Sequence, residues 1–302
     1  MAKFITKRGF IKFMESIIEE KMNAGRIRTA ETYLSSLNSI RKFLNNRNMP
    51  LDEFNSSLML SYESYLRDRG VSPNSSSFYM RTLRAVYNRA VENGLTKQKY
   101  PFRHVYTGIG KTVKRAIPLL AIKRLKDLDL SQFPKQEFAR DMFFFSFFTR
   151  GMSMVDMAYL KKSNLNNGIL TYRRRKTGQL LHIKWEKCMD EIVKKYTHPH
   201  DEYLLPLITS SCSLSSRQQY LYSAHKINYN LKITGARLGL SIPLTMYVAR
   251  HSWASIARYT NIPISVISEG MGHDSEKTTL IYLSQLDNTA VDKANRKILD
   301  LL

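Results

Sequence analysis

The sequence predicts a mainly α fold in two domains: four helices first, then a mixed α+β region with a small antiparallel sheet. Three observations carry this. Apolar residues recur at three- and four-residue spacing through the first third of the chain. A basic, breaker-rich stretch follows near residue 100. Beyond it, one short segment alternates with period two between longer helical runs. The length, 302 residues, also suits two domains better than one.

Phe10, Phe13, Ile17 and Ile18 define a first helix, and Tyr33, Leu37, Ile40 and Leu44 a second. A third covers Ser57 to Arg69 and stops at Gly70. A fourth runs from Pro73 to Glu92 and ends at Asn93-Gly94, a C-cap signature. This places a helical domain at residues 1–96. Residues 97–115 contain Pro101, Gly108 and Gly110 among Lys and Arg, and read as a basic linker. Residues 116–302 form the second domain. Its apolar helix, Gln136 to Phe148, is expected to be buried on all sides. Ile169 to Trp185 reads as a hairpin turning at Lys176-Thr177-Gly178. Helices resume near Glu186, Arg217, Tyr247, Pro263 and Ser275, and a short tail helix is expected over Asn288 to Leu302.

Composition narrows the function. Hydrophobic residues make up 43% of the chain, enough for a core, so wholesale disorder is excluded. The net charge is +22, split as +12 over residues 1–115 and +10 over the rest. A chain this basic in both halves is expected to meet a polyanion, and nucleic acid is the commonest. Two cysteines, Cys188 and Cys212, make no disulfide framework and no metal pattern, which fits a reducing cytoplasm. No apolar run is long enough to span a bilayer, so no membrane partner is expected. Thr197-His-Pro-His200 has no third ligand nearby, so no metal site is expected there.

Four segments of the second half carry residues suited to phosphodiester chemistry without a metal or other cofactor. They are Thr149-Arg150-Gly151-Met152-Ser153-Met154-Val155-Asp156, Arg173-Arg174-Arg175-Lys176-Thr177-Gly178, Tyr247-Val248-Ala249-Arg250-His251-Ser252-Trp253, and Gly270-Met271-Gly272-His273 with Tyr282 nine residues on. Attack on a phosphodiester needs a nucleophile, cations for the charge on the pentavalent phosphate, and an acid for the leaving oxygen. A phenol makes a reversible phosphoester. The arginine fork donates two parallel hydrogen bonds to phosphate. A lysine on a hairpin can protonate a leaving hydroxyl, and a histidine can order oxygens or move a proton.

Met271-Gly-His273, Thr278-Thr279 and Tyr282, together with Ala249-Arg-His-Ser-Trp-Ala254, resemble the C-terminal signature and second-arginine box of the tyrosine recombinases, the phage-integrase family. The resemblance implies a core-binding, SAM-like helical domain followed by a catalytic domain, suited to a clamp with the linker crossing the duplex. It implies Tyr282 as nucleophile, Arg250 as second arginine, His273 as the histidine before the nucleophile, Lys176 as the hairpin acid and Asp156 as a buttress. Arg173, Arg174, Arg175, Lys111, Lys114 and Arg115 are expected to contact the DNA. The implied activity is site-specific recombination of double-stranded DNA through a 3′-phosphotyrosine, as in an integrase or invertase. The implied assembly is a homo-tetramer on two sites, with DNA-bending accessory proteins as further partners and no cofactor.

Two positions depart from the family pattern. Tyr247 stands where the second-arginine box has histidine; its phenol is no general base near pH 7, so its expected role is positional. Ser153 stands where the first arginine is usual. A helix over Thr149 to Leu160 would put residues 150 and 153 one turn apart on one face, so that Arg150 supplies the missing charge. The alternatives are one of Arg173 to Arg175, or a partner or the DNA itself. Two other functions stay open on these residues: strand relaxation of the type IB topoisomerase kind, and a non-catalytic DNA-binding regulator that kept the fold.

Overall fold

The structure is a computed structural model. It describes residues 9–110, 115–283, 295–296 and 299–300, and of Ile281 and Tyr282 the backbone alone. The chain divides into two compact units, Met1–Thr112 and Val113–Leu302.

The first unit is built from α1 (Phe10–Asn23), α2 (Ile27–Phe43), α3 (Ser56–Asp68) and α4 (Pro73–Glu92). Asn55 and Ser72 start α3 and α4 by accepting from the Leu58 and Ser75 backbone N–H groups, which relieves orphan donors of the first turn. Pro73 fits the first helical position, where its missing N–H costs nothing. The apolar stripes meet in one core. There Phe10 stacks on Phe54 at 4.0 Å between ring centroids, and the Tyr62 hydroxyl, otherwise buried, donates to Ser39 Oγ at 2.7 Å.

The stretch expected to be a linker begins later than residue 97. Phe102 and Val105 are buried in the core of the first unit. Tyr87 donates to the Lys97 carbonyl at 2.9 Å, Ser77 to the Gly108 carbonyl, and Asn74 Oδ1 accepts from the Gly110 N–H at 2.7 Å. Two apolar side chains were enough to hold a breaker-rich, basic segment against the bundle. Lys111 and Lys114 lie outside the described residues, and Arg115 is exposed.

The second unit contains α5 (Leu119–Asp127), α6 (Pro134–Phe148), α7 (Met154–Ala158), β1 (Leu165–Asn166), β2 (Ile169–Arg173), β3 (Leu180–Lys184), α8 (Lys187–Tyr196), α9 (Ser216–Arg237), α10 (Met246–Tyr259), α11 (Ile264–Gly270) and α12 (Glu276–Tyr282). The sequence reading had not marked α5 or β1. Helix α6 is the centre: Met142, Phe143, Phe144 and Phe145 are all buried, and α8, α9 and α10 pack around it. Its buried Asp141 accepts from Lys195, Tyr196 and Arg140, so the charge enters the core satisfied. The sheet runs β1-β2-β3, antiparallel throughout, with Arg173 opposite Leu180. The hairpin loop is therefore residues 174–179, which includes the expected Lys176-Thr177-Gly178 turn. A small apolar cluster of Ala254, Ala257, Ile267, Met271 and Leu283 joins α10, α11 and the end of α12.

Candidate active site

Arg250 is the centre of the site. It lies in the second turn of α10 and is 5% exposed. Its Nη1 donates to the Gly151 carbonyl at 2.7 Å, and its Nη2 to the Met271 carbonyl and to His273 Nε2, both at 2.8 Å. Two chain segments, at Gly151 and at Met271 to His273, thus converge on one guanidinium. Two glycines make the approach feasible. Gly151 has φ +74°, and a Cβ there would fall 2.7 Å from Arg250 Cα. Gly272 has φ +64°, and a Cβ there would meet Arg174 Cδ at 2.8 Å. Neither backbone conformation suits an L side chain, and neither site has room for one.

The protonation of His273 follows from its partners. A guanidinium only donates, so His273 Nε2 must accept. The ring proton is then on Nδ1, which donates to Thr279 Oγ1 at 2.8 Å. Burial, then the charges of Arg250, Arg174 and Lys176, hold the ring well below its ordinary range, at about 3. His273 is therefore a neutral imidazole near pH 7, and it ties α10 to α12. Thr279 is fully buried, and Tyr282 closes α12 one turn after it.

Asp156, expected as a buttress, lies between α7 and the hairpin. It is 3% exposed; Oδ2 accepts from Ser153 Oγ at 2.6 Å and Oδ1 from the Arg175 N–H at 2.9 Å. It thereby fixes the hairpin loop to α7. Ser153 is the N-cap of α7, so its hydroxyl is engaged twice within that turn.

The expectation of a helix through Thr149–Leu160 is corrected here. Helix α6 ends at Phe148; Arg150 (φ +60°) and Gly151 turn left-handed, and α7 starts anew at Met154. Arg150 and Ser153 do not share a helix face. Arg150 is half-buried, and its Cδ would lie 3.5 Å from a Cβ on Gly270. The three hairpin arginines also divide. Arg173 and Arg175 are exposed; the first donates to the Gly178 carbonyl, and the second lies 3.8 Å over the Tyr159 ring. Arg174 is 6% exposed and donates to the Gly272 carbonyl, so it turns into the site and not onto the open surface. Lys176 is exposed at the hairpin tip. Tyr247 is 45% exposed, with its ring edge-on to His251 at 4.6 Å, whereas Arg250 one turn later is buried.

Sequence reasoning assigned no role to three participants. Thr279 is the acceptor that fixes the His273 tautomer. Tyr172 is buried on β2; burial and the Asp156 charge push its phenol up, against the opposing charges of Arg250, Arg174 and Arg150. Ser252 accepts from the Ile117 N–H at 2.9 Å, fixing where the chain enters the unit. Among the described residues there is no cluster of His, Cys, Asp and Glu fit to hold a metal ion, and no helix long and apolar enough to cross a membrane.

Residues 9–105 match the sequence model of the phage integrase SAM-like domain. Over 241 residues the chain is 24% identical to tyrosine recombinase XerA of Pyrococcus furiosus, covering 78% of this chain and 79% of that protein. The helical first unit thus matches the phage integrase SAM-like family, and the chain as a whole is similar to a tyrosine recombinase. Solved recombinase structures share its fold. A lambda integrase dimer bound to a COC′ core site matches with TM-score 0.64 at 18% identity, over 91% of this chain and 96% of that one. A lambda integrase tetramer bound to a Holliday junction matches at 0.67 and 18%, over 88% and 75%. The Tn1549 transposon integrase in complex with transposon right end DNA matches at 0.66 and 12%, over 96% and 99%.

Proposed function

We propose that the protein is a site-specific DNA recombinase that cleaves and rejoins strands through a 3′-phosphotyrosine at Tyr282. The observation that carries this reading is the chain Arg250–His273–Thr279. It anchors a buried phosphate-binding cation to the helix that ends in the nucleophile. In the forward step the Tyr282 phenol oxygen bonds to phosphorus and the bond to the 5′ oxygen breaks. Lys176 gives that oxygen its proton. The phenol proton is released to solvent, since the His273 Nε2 lone pair is already engaged by Arg250. Arg250 holds the non-bridging oxygens, with further charge from Arg150. Attack by a 5′ hydroxyl of a partner duplex reverses every transfer, so no ATP and no metal is consumed.

Working on two sites calls for a tetramer, a form in which the similarly folded lambda integrase was solved on a Holliday junction. The serine at 153 favours one rival, a DNA-binding regulator without activity. Covalent trapping on a duplex nicked beside the cleavage point separates them: a recombinase is trapped on the DNA, and Tyr282→Phe binds without being trapped. No adduct from the wild-type chain would favour the regulator. Relaxation of supercoils lacking a recombination site would favour a topoisomerase.

A further inference from the structure

Arg174 is the one hairpin arginine that turns inward. Strand β2 sets the phase: Leu170 and Tyr172 are buried while Arg173 is exposed, and Arg174 keeps the alternation just past the strand. Its backbone is held on both sides, its N–H by the Gln179 carbonyl and its carbonyl by the Gly178 N–H, each at 2.8 Å. Its side chain runs over the Gly272 turn and donates through Nη1 to the Gly272 carbonyl, directly before His273. No carboxylate among the described residues pairs with it.

A buried guanidinium without a counter-anion is costly. A site that keeps one, with most of its five donors unspent on the chain's own carbonyls, is suited to an anion that arrives from outside. The neighbours say which anion. Arg174 and Arg250 reach the His273 turn from two different elements, one donating to the Gly272 carbonyl and the other to the Met271 carbonyl. Lys176 follows two residues later on the same loop. Ser153, where the family pattern puts its first arginine, has its hydroxyl bound to Asp156 and brings no charge. Arg150 stands on a left-handed turn and is only half-buried.

We propose that Arg174 takes the place of the missing first arginine, its guanidinium donating to a non-bridging oxygen of the scissile phosphate while Arg250 holds the other. This rests on the phosphotyrosine reading above. The loss at position 153 is then made good from the hairpin, which supplies both a phosphate cation and the acid.

The test compares single-turnover cleavage of a normal phosphodiester with that of a methylphosphonate at the same position. The methylphosphonate lacks one charged oxygen and so needs less cationic help. Arg174→Ala should lose about 10²–10³ in rate on the phosphodiester, the usual cost of one preorganised donor, and regain most of it on the methylphosphonate. Arg174→Lys, which keeps a charge without the fork, should lose less on the phosphodiester and cleave the methylphosphonate as wild type does. It carries the comparison if the alanine variant does not fold. Equal losses on both substrates, or undiminished phosphodiester cleavage, would overturn the proposal. A wild-type chain that cleaves neither substrate would overturn the phosphotyrosine reading itself.

Discussion

The bond between His273 and Thr279 permits a sharp perturbation. Thr279→Val keeps the shape of a fully buried side chain and removes its hydroxyl. His273 Nδ1–H then loses an acceptor at 2.8 Å. The ring cannot simply exchange tautomers, because a proton on Nε2 would face the Arg250 Nη2 donor at the same 2.8 Å. Leaving a buried donor unsatisfied costs about 1–3 kcal/mol, which is about 5- to 150-fold in an equilibrium or a rate. Part of this falls on folding and part on the placement of α12. The assay is single-turnover cleavage of a nicked duplex, with urea unfolding measured in parallel. We expect slower cleavage within that range for Thr279→Val and near wild-type cleavage for Thr279→Ser, which keeps the oxygen. Wild-type cleavage by the valine variant, or a serine variant as slow as the valine one, would refute the assigned tautomer and its role.

Two further outcomes follow from charge. The folded-state pKa of His273, about 3, lies below the ordinary 6.5. The unfolded chain therefore binds a proton that the folded chain refuses between those values, and the stabilisation present above pH 6.5 is lost as pH falls toward 3; His273→Asn should flatten this part of a urea-midpoint profile, and an unchanged profile would contradict the buried neutral ring. With net charge +22 spread over both halves, binding to duplex DNA should weaken steeply with salt, by about 10³–10⁵ between 50 and 200 mM for six to ten phosphate contacts, and a flat slope of log affinity against log salt would count against extensive backbone contact.

The long helices were legible because their periodicity and caps agree. Asn93-Gly94 closes α4 as expected, and the apolar run of α6 is buried as expected. The hairpin was legible from its alternation, and the same alternation carried one more signal: extended from Leu170 and Tyr172, it turns Arg174 inward. The break after Phe148 was also signalled, since Ser153 and Asp156 have the spacing of an N-terminal cap, but the apolar residues around them mask the turn. Residues 97–110 misled because glycine, proline and charge outweighed Phe102 and Val105. The bond from His273 to Thr279 had no sequence signal. It depends on the Gly272 turn, where a Cβ would fall within 3 Å of Arg174 and Leu181. The expected tail helix lies largely outside the described residues, although Leu299, one of its expected apolar anchors, is exposed.

The central claim is that Tyr282 becomes covalently joined to the 3′ end of a cleaved strand. The direct measurement is peptide mapping by mass spectrometry of the trapped protein–DNA adduct, with each end of the nicked strand labelled in turn. The account predicts a nucleotide on the peptide containing Tyr282, attached through the 3′ phosphate, and no adduct from Tyr282→Phe. An adduct of undiminished yield in that variant, or attachment through the 5′ end, would contradict it.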